Sequence, residues 1–351
     1  MSRAPCPVAV YSTSAREPLT STVTAELPGA PAKCIHRSRA WRHQVCSVAY
    51  GQAEALDERW TDQAASEGGR LVQWYPGHIA RAERRLREQL ALVDVVLEVR
   101  DARIPASTAH PSVARWCGAK PRLVLLNRVD MVAERDRDAW AAHFASTRQP
   151  VLWTDGASGL GVGRVTKAAL RESARINNAR ARRGLKPRPV RAVVVGFPNV
   201  GKSALINRLL SRRLCDSAPR PGVTRTLKWL RIGGLLDLLD SPGIIPGSFS
   251  DQRAAQRLAM CNDIGEAAYV DSLVACALLD AMAGLPTGAA IRRRLGVRYG
   301  VPWAPSLSSE DYLLTIAADK FQGEPERAGQ RLLKDFRTGA LGRFALELPP
   351  T

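Results

Sequence analysis

A glycine-rich loop that ends in a lysine and a hydroxyl residue is the strongest chemical signal in this sequence. Residues 196–203 read GFPNVGKS and fit the pattern G-x-x-x-x-G-K-[ST]. In such a loop, backbone N–H groups curl round a phosphate, Lys202 reaches the β- and γ-phosphate oxygens, and Ser203 ligates Mg²⁺. The residues expected to bind nucleotide phosphates here are Asn199, Val200, Gly201, Lys202, Ser203 and Ala204.

A second motif, DSPG, begins at Asp240 and follows a short apolar run. A carboxylate at the tip of a neighbouring strand can hold the Mg²⁺ shell, and the glycine three residues later offers an N–H to the γ-phosphate. Between the two motifs lies the segment PGVTRT, whose Thr224 can reach Mg²⁺ when a γ-phosphate is present. We therefore expect Ser203, Thr224 and Asp240 to ligate the metal, and Gly243 to contact the γ-phosphate.

The tetrapeptide NRVD, which starts at Asn127, fits a motif that selects guanine, with Arg128 in place of the usual lysine. Asp130 can accept two hydrogen bonds from guanine N1 and N2, which adenine cannot donate, while the stem of Arg128 covers the base. The segment TDG stands where a backbone N–H should meet guanine O6. The residues expected to bind the base of GTP or GDP are Asn127, Arg128, Asp130, Thr154, Asp155 and Gly156.

The order of these motifs is unusual, because the base-reading motif precedes the phosphate loop. A conventional G domain runs the other way. All these loops lie at one edge of a parallel sheet, so cutting the chain elsewhere and joining the old ends leaves the site intact. The sequence therefore predicts a circularly permuted GTPase, joined through the basic linker at about 179–190.

The elements that would position these loops follow from the apolar pattern. Short runs rich in Val and Leu occur at 91–99, 122–126, 151–153, 191–195 and 235–239. They alternate with stretches long enough for helices, which is typical of a parallel sheet covered on both faces. We expect an α/β fold: a permuted P-loop G domain with a mostly parallel, doubly wound sheet at 71–250, then a small all-helical domain at 251–351.

Charge points to a polyanionic partner. The chain has 51 Lys and Arg against 33 Asp and Glu, a net charge of +18. Eighteen of these cations lie between Gly156 and Leu236, where the acids are Glu172 and Asp216. A hydrophobic content of 45% argues against disorder throughout the chain, and seven cysteines without CxxC spacing argue against a disulfide scaffold or zinc site. No apolar run approaches the roughly 20 residues of a membrane span, so we expect no membrane association.

The first fifty residues differ in composition from the rest. They contain two acids, Glu17 and Glu26, against six Lys and Arg, and are otherwise rich in Ser, Thr, Ala and Pro. An acid-poor segment without a continuous apolar core is typical of an organelle transit peptide rather than a secretory signal. We expect residues 1–70 to be a transit peptide and linker; a tail without a targeting role is the alternative.

Three further motifs complete a resemblance to a known family. WYPGHIA at 74–80, DAR at 101–103 and DFRTGALGR at 335–343, together with the permuted order, resemble the ribosome biogenesis GTPase A (YlqF) family, and within it the plastid DAR GTPase branch. The resemblance covers about residues 71–347. It implies a monomeric GTPase that binds the maturing large ribosomal subunit and its rRNA, in the chloroplast stroma or, alternatively, the mitochondrion.

The resemblance also bears on catalysis. Ras-like proteins orient the attacking water with a glutamine after D-x-x-G, but Ile244 stands at that position here. Family membership implies two substitutes. Asn199 matches an asparagine with which some relatives use K⁺ in place of an arginine finger, and His78 matches a histidine proposed to orient the water. The implied catalytic residues are thus His78 and Asn199, and the implied cofactors are GTP or GDP, Mg²⁺ and K⁺.

Two other functions stay open from the sequence. Ile244, and Asp155 where the family usually has alanine, allow an RNA-binding scaffold that holds nucleotide but turns it over slowly. The G motifs do not name the particle, so a GTPase acting on another RNA is the second alternative. Arg292, Arg293 and Arg294 form a natural phosphate-binding cluster in the helical region, with a solvated helix face as the alternative.

Overall fold

A six-stranded sheet forms the centre of the first half of the structure. The computed structural model describes residues 76–210, 228–232, 236–240, 251–265 and 269–350. The strands in chain order are β1 Val95–Asp101, β2 Arg122–Asn127, β3 Val151–Trp153, β4 Val190–Val195, β5 Lys228–Ile232 and β6 Leu236–Asp240. Their spatial order is β3-β2-β1-β4-β6-β5, and all neighbours are parallel except the antiparallel pair β5 and β6. The predicted α/β class is confirmed.

Helices cover both faces of this sheet. They are α1 Pro76–Leu92, α2 Val113–Cys117, α3 Glu134–Ser146, α4 Val162–Ala181 and α5 Lys202–Leu209. On one face Leu86 of α1 belongs to the same core as Val96, and on the other Val165 of α4 and Leu205 of α5 pack into the core that contains Leu97. Burial on both faces explains why β4 consists of Val and Ala apart from Arg191, and why four of the seven residues of β1 are Val or Leu.

Five further helices follow the sheet: α6 Gln252–Cys261, α7 Asp271–Ala283, α8 Gly288–Tyr299, α9 Ser309–Lys320 and α10 Pro325–Arg337. The apolar helix α7 lies at their centre. Gly329 of α10 lies so close to it that a Cβ there would meet the Cα of Ser272 at 2.7 Å. Buried residues of α6 and α7 belong to the same core as β1 and β4. The domain boundary at residue 251 stays a prediction.

The end of the chain returns to the sheet. The backbone N–H of Phe344 donates to the carbonyl of Met131 at 3.1 Å, and that of Leu346 donates to the carbonyl of Arg103 at 2.9 Å. Met131 closes the 3₁₀ turn Val129–Met131, which carries the aspartate of the NRVD motif. The C-terminal segment is therefore hydrogen-bonded to the base-reading turn.

Some predictions lie outside the described residues. These are the transit peptide and linker at 1–70, and the segment that contains Thr224 and Gly243. Strand β5 was not expected from the apolar pattern, because its sequence KWLRI is short and carries two cations. No helix within the described ranges is long and apolar enough to span a membrane.

Candidate nucleotide site

The carboxyl ends of the parallel strands bring the predicted motifs to one edge of the sheet. The GFPNVGKS loop follows β4, NRVD begins at the end of β2, and TDG follows β3. Asp240 ends β6 and is in register with Val194 of β4, one residue before that strand ends. In open α/β sheets this edge is where ligands bind.

The phosphate loop is held in a shape that its glycines make possible. Gly196 has a φ of 151° and Gly201 a φ of 96°. A Cβ on Gly196 would lie 2.3 Å from the carbonyl oxygen of Val99, so the loop passes directly over the end of β1. The side chain of Lys202 is buried, and its Nζ donates to the carbonyls of Gly196 at 3.2 Å and Phe197 at 2.7 Å. The loop thus curls round its own ammonium group.

Asn127 joins the base-reading motif to two other loops. Its Nδ2 donates to the carbonyl of Val200 at 2.8 Å. Its Oδ1 accepts from the hydroxyl of Thr154 at 3.2 Å and from the backbone N–H of Gly156 at 3.0 Å. Asn127 therefore ties the base-reading motif to the phosphate loop and to the loop after β3.

Arg128 does more than replace a lysine. It adopts a left-handed conformation with a φ of 65°, and its guanidinium donates to the carbonyl of Asn199 in the phosphate loop. The same group lies 3.5 Å from the buried carboxylate of Asp101. The arginine head thus bridges β1 and the phosphate loop, a contact for which its forked geometry is suited.

Asp130 is exposed at the edge of this arrangement. Partial burial, and then the nearby negative charge of Asp155, raise the pKa of Asp130 above its usual value. An exposed carboxylate that is not yet fully satisfied is suited to accept hydrogen bonds from a base.

The backbone N–H groups of the loop after β3 already have hydrogen-bond partners within the protein. The N–H of Thr154 donates to Leu126 and that of Asp155 donates to Leu160, both at 2.9 Å. The carboxylate of Asp155 accepts from the N–H groups of Ala157 at 2.8 Å and Ser158 at 2.9 Å. Burial opposes its ionisation, but the side-chain hydrogen bond from Ser158 and then these backbone bonds keep the pKa of Asp155 below its usual value. The carboxylate of Asp155 therefore holds its own loop in place. A backbone N–H of this loop can contact guanine O6 only when one of these hydrogen bonds breaks.

The remaining predicted residues are placed as follows. Ser203 and Ala204 lie in the first turn of α5, and Ser203 is partly buried. His78 lies in the first turn of α1, and Asp240 lies at the end of β6; only their backbones are described. Thr224, Gly243 and Ile244 are outside the described residues.

Asn199 contacts the segment that follows the sheet. It adopts a φ of 55°, and its Nδ2 donates to the carbonyl of Asn262 at 2.7 Å. Asn262, with a φ of 62°, ends helix α6. Arg103 of the DAR motif also donates to this helix end, at the carbonyl of Cys261, 3.2 Å away. The phosphate loop and the DAR segment that follows β1 therefore both hold the C-terminal end of α6.

Two buried carboxylates beside this helix end were not predicted from the sequence as site residues. Asp101 is fully buried and accepts two bonds from the guanidinium of Arg103, at 3.0 and 2.7 Å. Burial opposes ionisation, but Arg103 and then Arg128 lower the pKa of Asp101. Asp263 is also fully buried, and neither of its carboxylate oxygens has a hydrogen-bond partner among the described residues. Burial and the charge of Asp101 raise the pKa of Asp263 to about 8.

Ligand-type atoms of Asp101, Cys261 and Asp263 all lie within 4.8 Å of one another. A metal is disfavoured there by the donors themselves, because Arg103 already neutralises Asp101. Burial also raises the pKa of the Cys261 thiol well above its usual range, which opposes the thiolate that a metal needs. The DAR motif was the one sequence signal for this cluster, and no motif indicated Asp263.

The residues of this edge fit a guanine nucleotide and its metal. A Cβ on Gly201 would lie 2.2 Å from Nδ2 of Asn127, so this backbone position requires glycine. The loop presents an ammonium, the start of a helix and a serine hydroxyl together, which are groups that bind phosphates and Mg²⁺. The exposed carboxylate of Asp130 adds an acceptor for the base.

The fold and this edge define a P-loop GTPase with a circularly permuted motif order. The family described as "50S ribosome-binding GTPase" matches residues 191–283. The chain is 33% identical over 289 residues to ribosome biogenesis GTPase A of Bacillus cereus, covering 80% of this chain and 94% of that protein. The chain therefore belongs to the ribosome biogenesis GTPase A family. It binds GTP and GDP and hydrolyses GTP.

Further relatives agree with this assignment. The chain is 41% identical to ribosome biogenesis GTPase A of Bacillus licheniformis over 192 residues, 54% of this chain and 67% of that one. It is 31% identical over 225 residues to "Short integuments 2, mitochondrial" of Arabidopsis thaliana, covering 60% of this chain and 56% of that protein. In fold it is similar to GNP-bound YlqF from T. maritima, with a TM-score of 0.51, 24% identity and coverage of 77% and 98%.

Proposed function

We propose that this GTPase acts in assembly of the large ribosomal subunit of an organelle, and that the organelle is the chloroplast. The observation that carries the proposal is the hydrogen bond from Asn199 of the phosphate loop to Asn262 at the end of α6. It connects the nucleotide site with the helices beyond residue 251. Such a contact is what a GTPase needs if its nucleotide state is to change how it holds a large particle.

In this proposal each residue at this edge of the sheet has a separate role. Lys202 leaves the carbonyls of Gly196 and Phe197 to bind the β- and γ-phosphates, while Asp130 selects guanine. Ser203, Thr224 and Asp240 hold Mg²⁺, which neutralises charge on the phosphates. Gly243 is proposed to contact the γ-phosphate, and His78 to orient the attacking water. Asn199 is proposed to act there with K⁺ as the second cation.

Helix α6 is proposed to transmit the nucleotide state from the phosphate loop to the helical region. Its C-terminal carbonyls are held from two sides: Arg103, two residues after β1, donates to Cys261, and Arg337 of α10 donates to Met260 at 3.0 Å and Ala259 at 2.8 Å. A shift of α6 after hydrolysis changes both sets of contacts together. Contacts of the helical region with rRNA then weaken, and the subunit is released.

The names of two relatives support a location in an organelle. These names, "Short integuments 2, mitochondrial" and "Mitochondrial ribosome-associated GTPase 1" of Bos taurus, place those proteins in mitochondria. The acid-poor composition of residues 1–50 supports import into an organelle. A fluorescent protein fused behind residues 1–70 tests the location: plastid fluorescence supports the chloroplast, and mitochondrial or cytosolic fluorescence contradicts it.

GTP turnover with purified large subunits tests the function. We expect large subunits to raise turnover about tenfold or more, small subunits not to, and K⁺ to support higher turnover than Na⁺. A Lys202→Ala variant controls for contaminating hydrolases. Equal turnover with and without large subunits contradicts the proposal, and stimulation by another RNA alone points to a different particle. Nucleotide binding without turnover under any condition favours the scaffold function.

A further inference from the structure

The longest helix of the sheet domain carries a straight line of cations. Helix α4 buries Val162, Val165, Ala169 and Ser173, which are spaced by three, four and four residues. Arg164, Lys167, Arg171 and Arg175 repeat the same spacing two residues later, and all four are exposed. Two residues rotate a helix by about 200°, so this cation line faces directly away from the core.

The line continues past the end of the helix. Arg182 is eleven residues beyond Arg171 and lies on the same side of the helix, and Arg182 and Arg183 are exposed. At about 1.5 Å per residue, the distance along the axis from Arg164 to Arg182 is about 27 Å. A line of this length fits an extended chain of negative charges rather than a single anion.

The cations on this line are mostly free of internal partners. Within the described residues, Arg175 alone of the four on α4 has a carboxylate partner, Glu172 at 3.0 Å, and that pair lies at the surface. Unpaired cations held in a row by a helix are available to replace the counterions of a nucleic acid backbone.

Two other cations of the same region are structural. The guanidinium of Arg180 donates to the carbonyl of Lys186 at 3.2 and 3.1 Å and closes the linker after α4. Arg188 binds the carboxylate of Asp94 through two bonds, at 2.8 and 2.9 Å. The linker is thereby fixed to the start of β1, and it keeps Arg182 and Arg183 at the end of the line.

The rest of this face favours RNA over a protein. The other exposed residues of α4 are small: Gly163, Ala174, Asn178, Ala179 and Ala181. Protein interfaces are enriched in aromatic residues, which this face lacks along the described helix. Small residues between cations leave room for a sugar-phosphate backbone to lie along the helix.

We propose that Arg164, Lys167, Arg171, Arg175, Arg182 and Arg183 form a binding surface for the backbone of one segment of ribosomal RNA. The inference rests on the proposed function and names the part of the G domain that meets the particle. Helix α4 begins directly after the loop that contains Asp155, whose N–H binds the carbonyl of Leu160. The Arg164 end of this surface is therefore the end nearest to the loop expected to contact guanine.

A triple substitution, Arg164→Gln with Lys167→Gln and Arg171→Gln, tests the surface. Binding to a fluorescent RNA duplex of about 20 base pairs is measured over a series of salt concentrations. Because each lost phosphate contact lowers the slope of log K against log salt by about 0.9, the slope should fall by about 2 to 3. Affinity at low salt should fall about 10- to 100-fold.

The matched control removes the same charge elsewhere. Arg84, Arg135 and Arg327 have side chains that are 79%, 60% and 61% exposed and lie on three other helices. Their triple change to glutamine should alter RNA affinity by less than about threefold. Equal losses in the two variants would show a general effect of net charge and overturn the proposal. GTP affinity, measured in both, reports that the nucleotide site is intact.

Binding to large subunits distinguishes a failure of this proposal from a failure of the function on which it rests. If the wild type binds large subunits and the α4 variant binds them equally well, the surface is wrong while the function stands. If the wild type does not bind them at all, the function itself fails. If the variant loses subunit binding but keeps its affinity for naked RNA, the surface meets an acidic protein, and the RNA proposal is overturned. Loss of both supports it.

Discussion

The side-chain amide of Asn127 donates to the backbone carbonyl of Val200 across 2.8 Å, and so joins the base-reading motif to the phosphate loop. The two residues are 73 positions apart in the chain. In the permuted order the base-reading motif is made first and the phosphate loop second, yet this bond brings them together as one site. Because Oδ1 of the same side chain holds the loop after β3, one residue fixes three parts of the site.

Replacement of Asn127 by alanine should weaken GTP binding about 10- to 100-fold. The change leaves the buried N–H of Gly156 and the carbonyl of Val200 without their partner, at a cost of about 1–3 kcal/mol for each unsatisfied group. Titration with a fluorescent GTP analogue measures the loss. Asn178→Ala, at an exposed position of α4, is the control and should bind like the wild type. Unchanged affinity in Asn127→Ala would show that the loops do not need this bridge.

Glycine is required at Gly201 for two separable reasons, its φ of 96° and the nearness of Asn127. Gly300, which follows α8, is also left-handed, with a φ of 68°, but the nearest atom to a Cβ there is Nζ of Lys320 at 3.7 Å, an ordinary contact distance. Gly300→Ala should therefore lose about 1 kcal/mol of unfolding free energy from backbone strain alone. Gly201→Ala should lose more, and should also lose GTP affinity. Urea unfolding compares the two, and equal losses would argue against the close contact.

Substitution of Asp130 by asparagine tests base selection. The amide can no longer accept both hydrogen bonds from guanine, so GTP affinity should fall by about 100-fold or more. Xanthosine triphosphate carries a carbonyl where GTP carries its amino group, and the new N–H can donate to it. Its affinity should rise in the variant. Asp138→Asn, on an exposed part of α3, should change neither affinity; a variant that binds GTP normally would place base selection elsewhere.

Ionisation of Asp263 should destabilise the folded protein. Its pKa lies above the ordinary aspartate value of 3.8, so the folded state holds a proton that the unfolded state releases. This contribution to stability is full below about pH 4 and is lost as the pH rises through about 8. While it is being lost, the unfolding free energy falls by about 1.4 kcal/mol per pH unit.

Asp263→Asn removes this ionisable group. Its unfolding free energy should depend less on pH than that of the wild type between about pH 5 and pH 8, as measured by urea unfolding. Asp319→Asn, whose side chain is half exposed beside Lys320, should keep the wild-type dependence. The same slope in Asp263→Asn and the wild type would show that Asp263 is ionised in the folded protein.

Local motifs were predictable from the sequence because each is a short run with its own chemistry. The loop ending in Lys202 and Ser203, the NRVD turn and the strands before them lie where the pattern predicts. Strand β5 was missed because KWLRI is a short edge strand with cations at two of its five positions. Edge strands face solvent on one side and lack the continuous apolar run that marks a buried strand.

Long-range contacts were not predictable in the same way. Nothing in the sequence indicates that Asn262 reaches Asn199, or that Asp263 is buried beside Asp101, because these pairs are brought together only when the chain is folded. Composition also could not distinguish a structural cation from a free one. Arg180 closes the linker while Arg182 is exposed, although both lie in the same basic run.

Sedimentation of the protein with large-subunit precursors tests whether its nucleotide state controls its binding to the subunit. The protein is mixed with precursors from the organelle in the presence of a GTP analogue that resists hydrolysis, or of GDP. We expect co-sedimentation with the analogue and at least about tenfold less with GDP, because in the proposed function the nucleotide state sets the contacts of α6 with the phosphate loop. Equal binding in both states, or binding to small subunits instead, would contradict the proposed function.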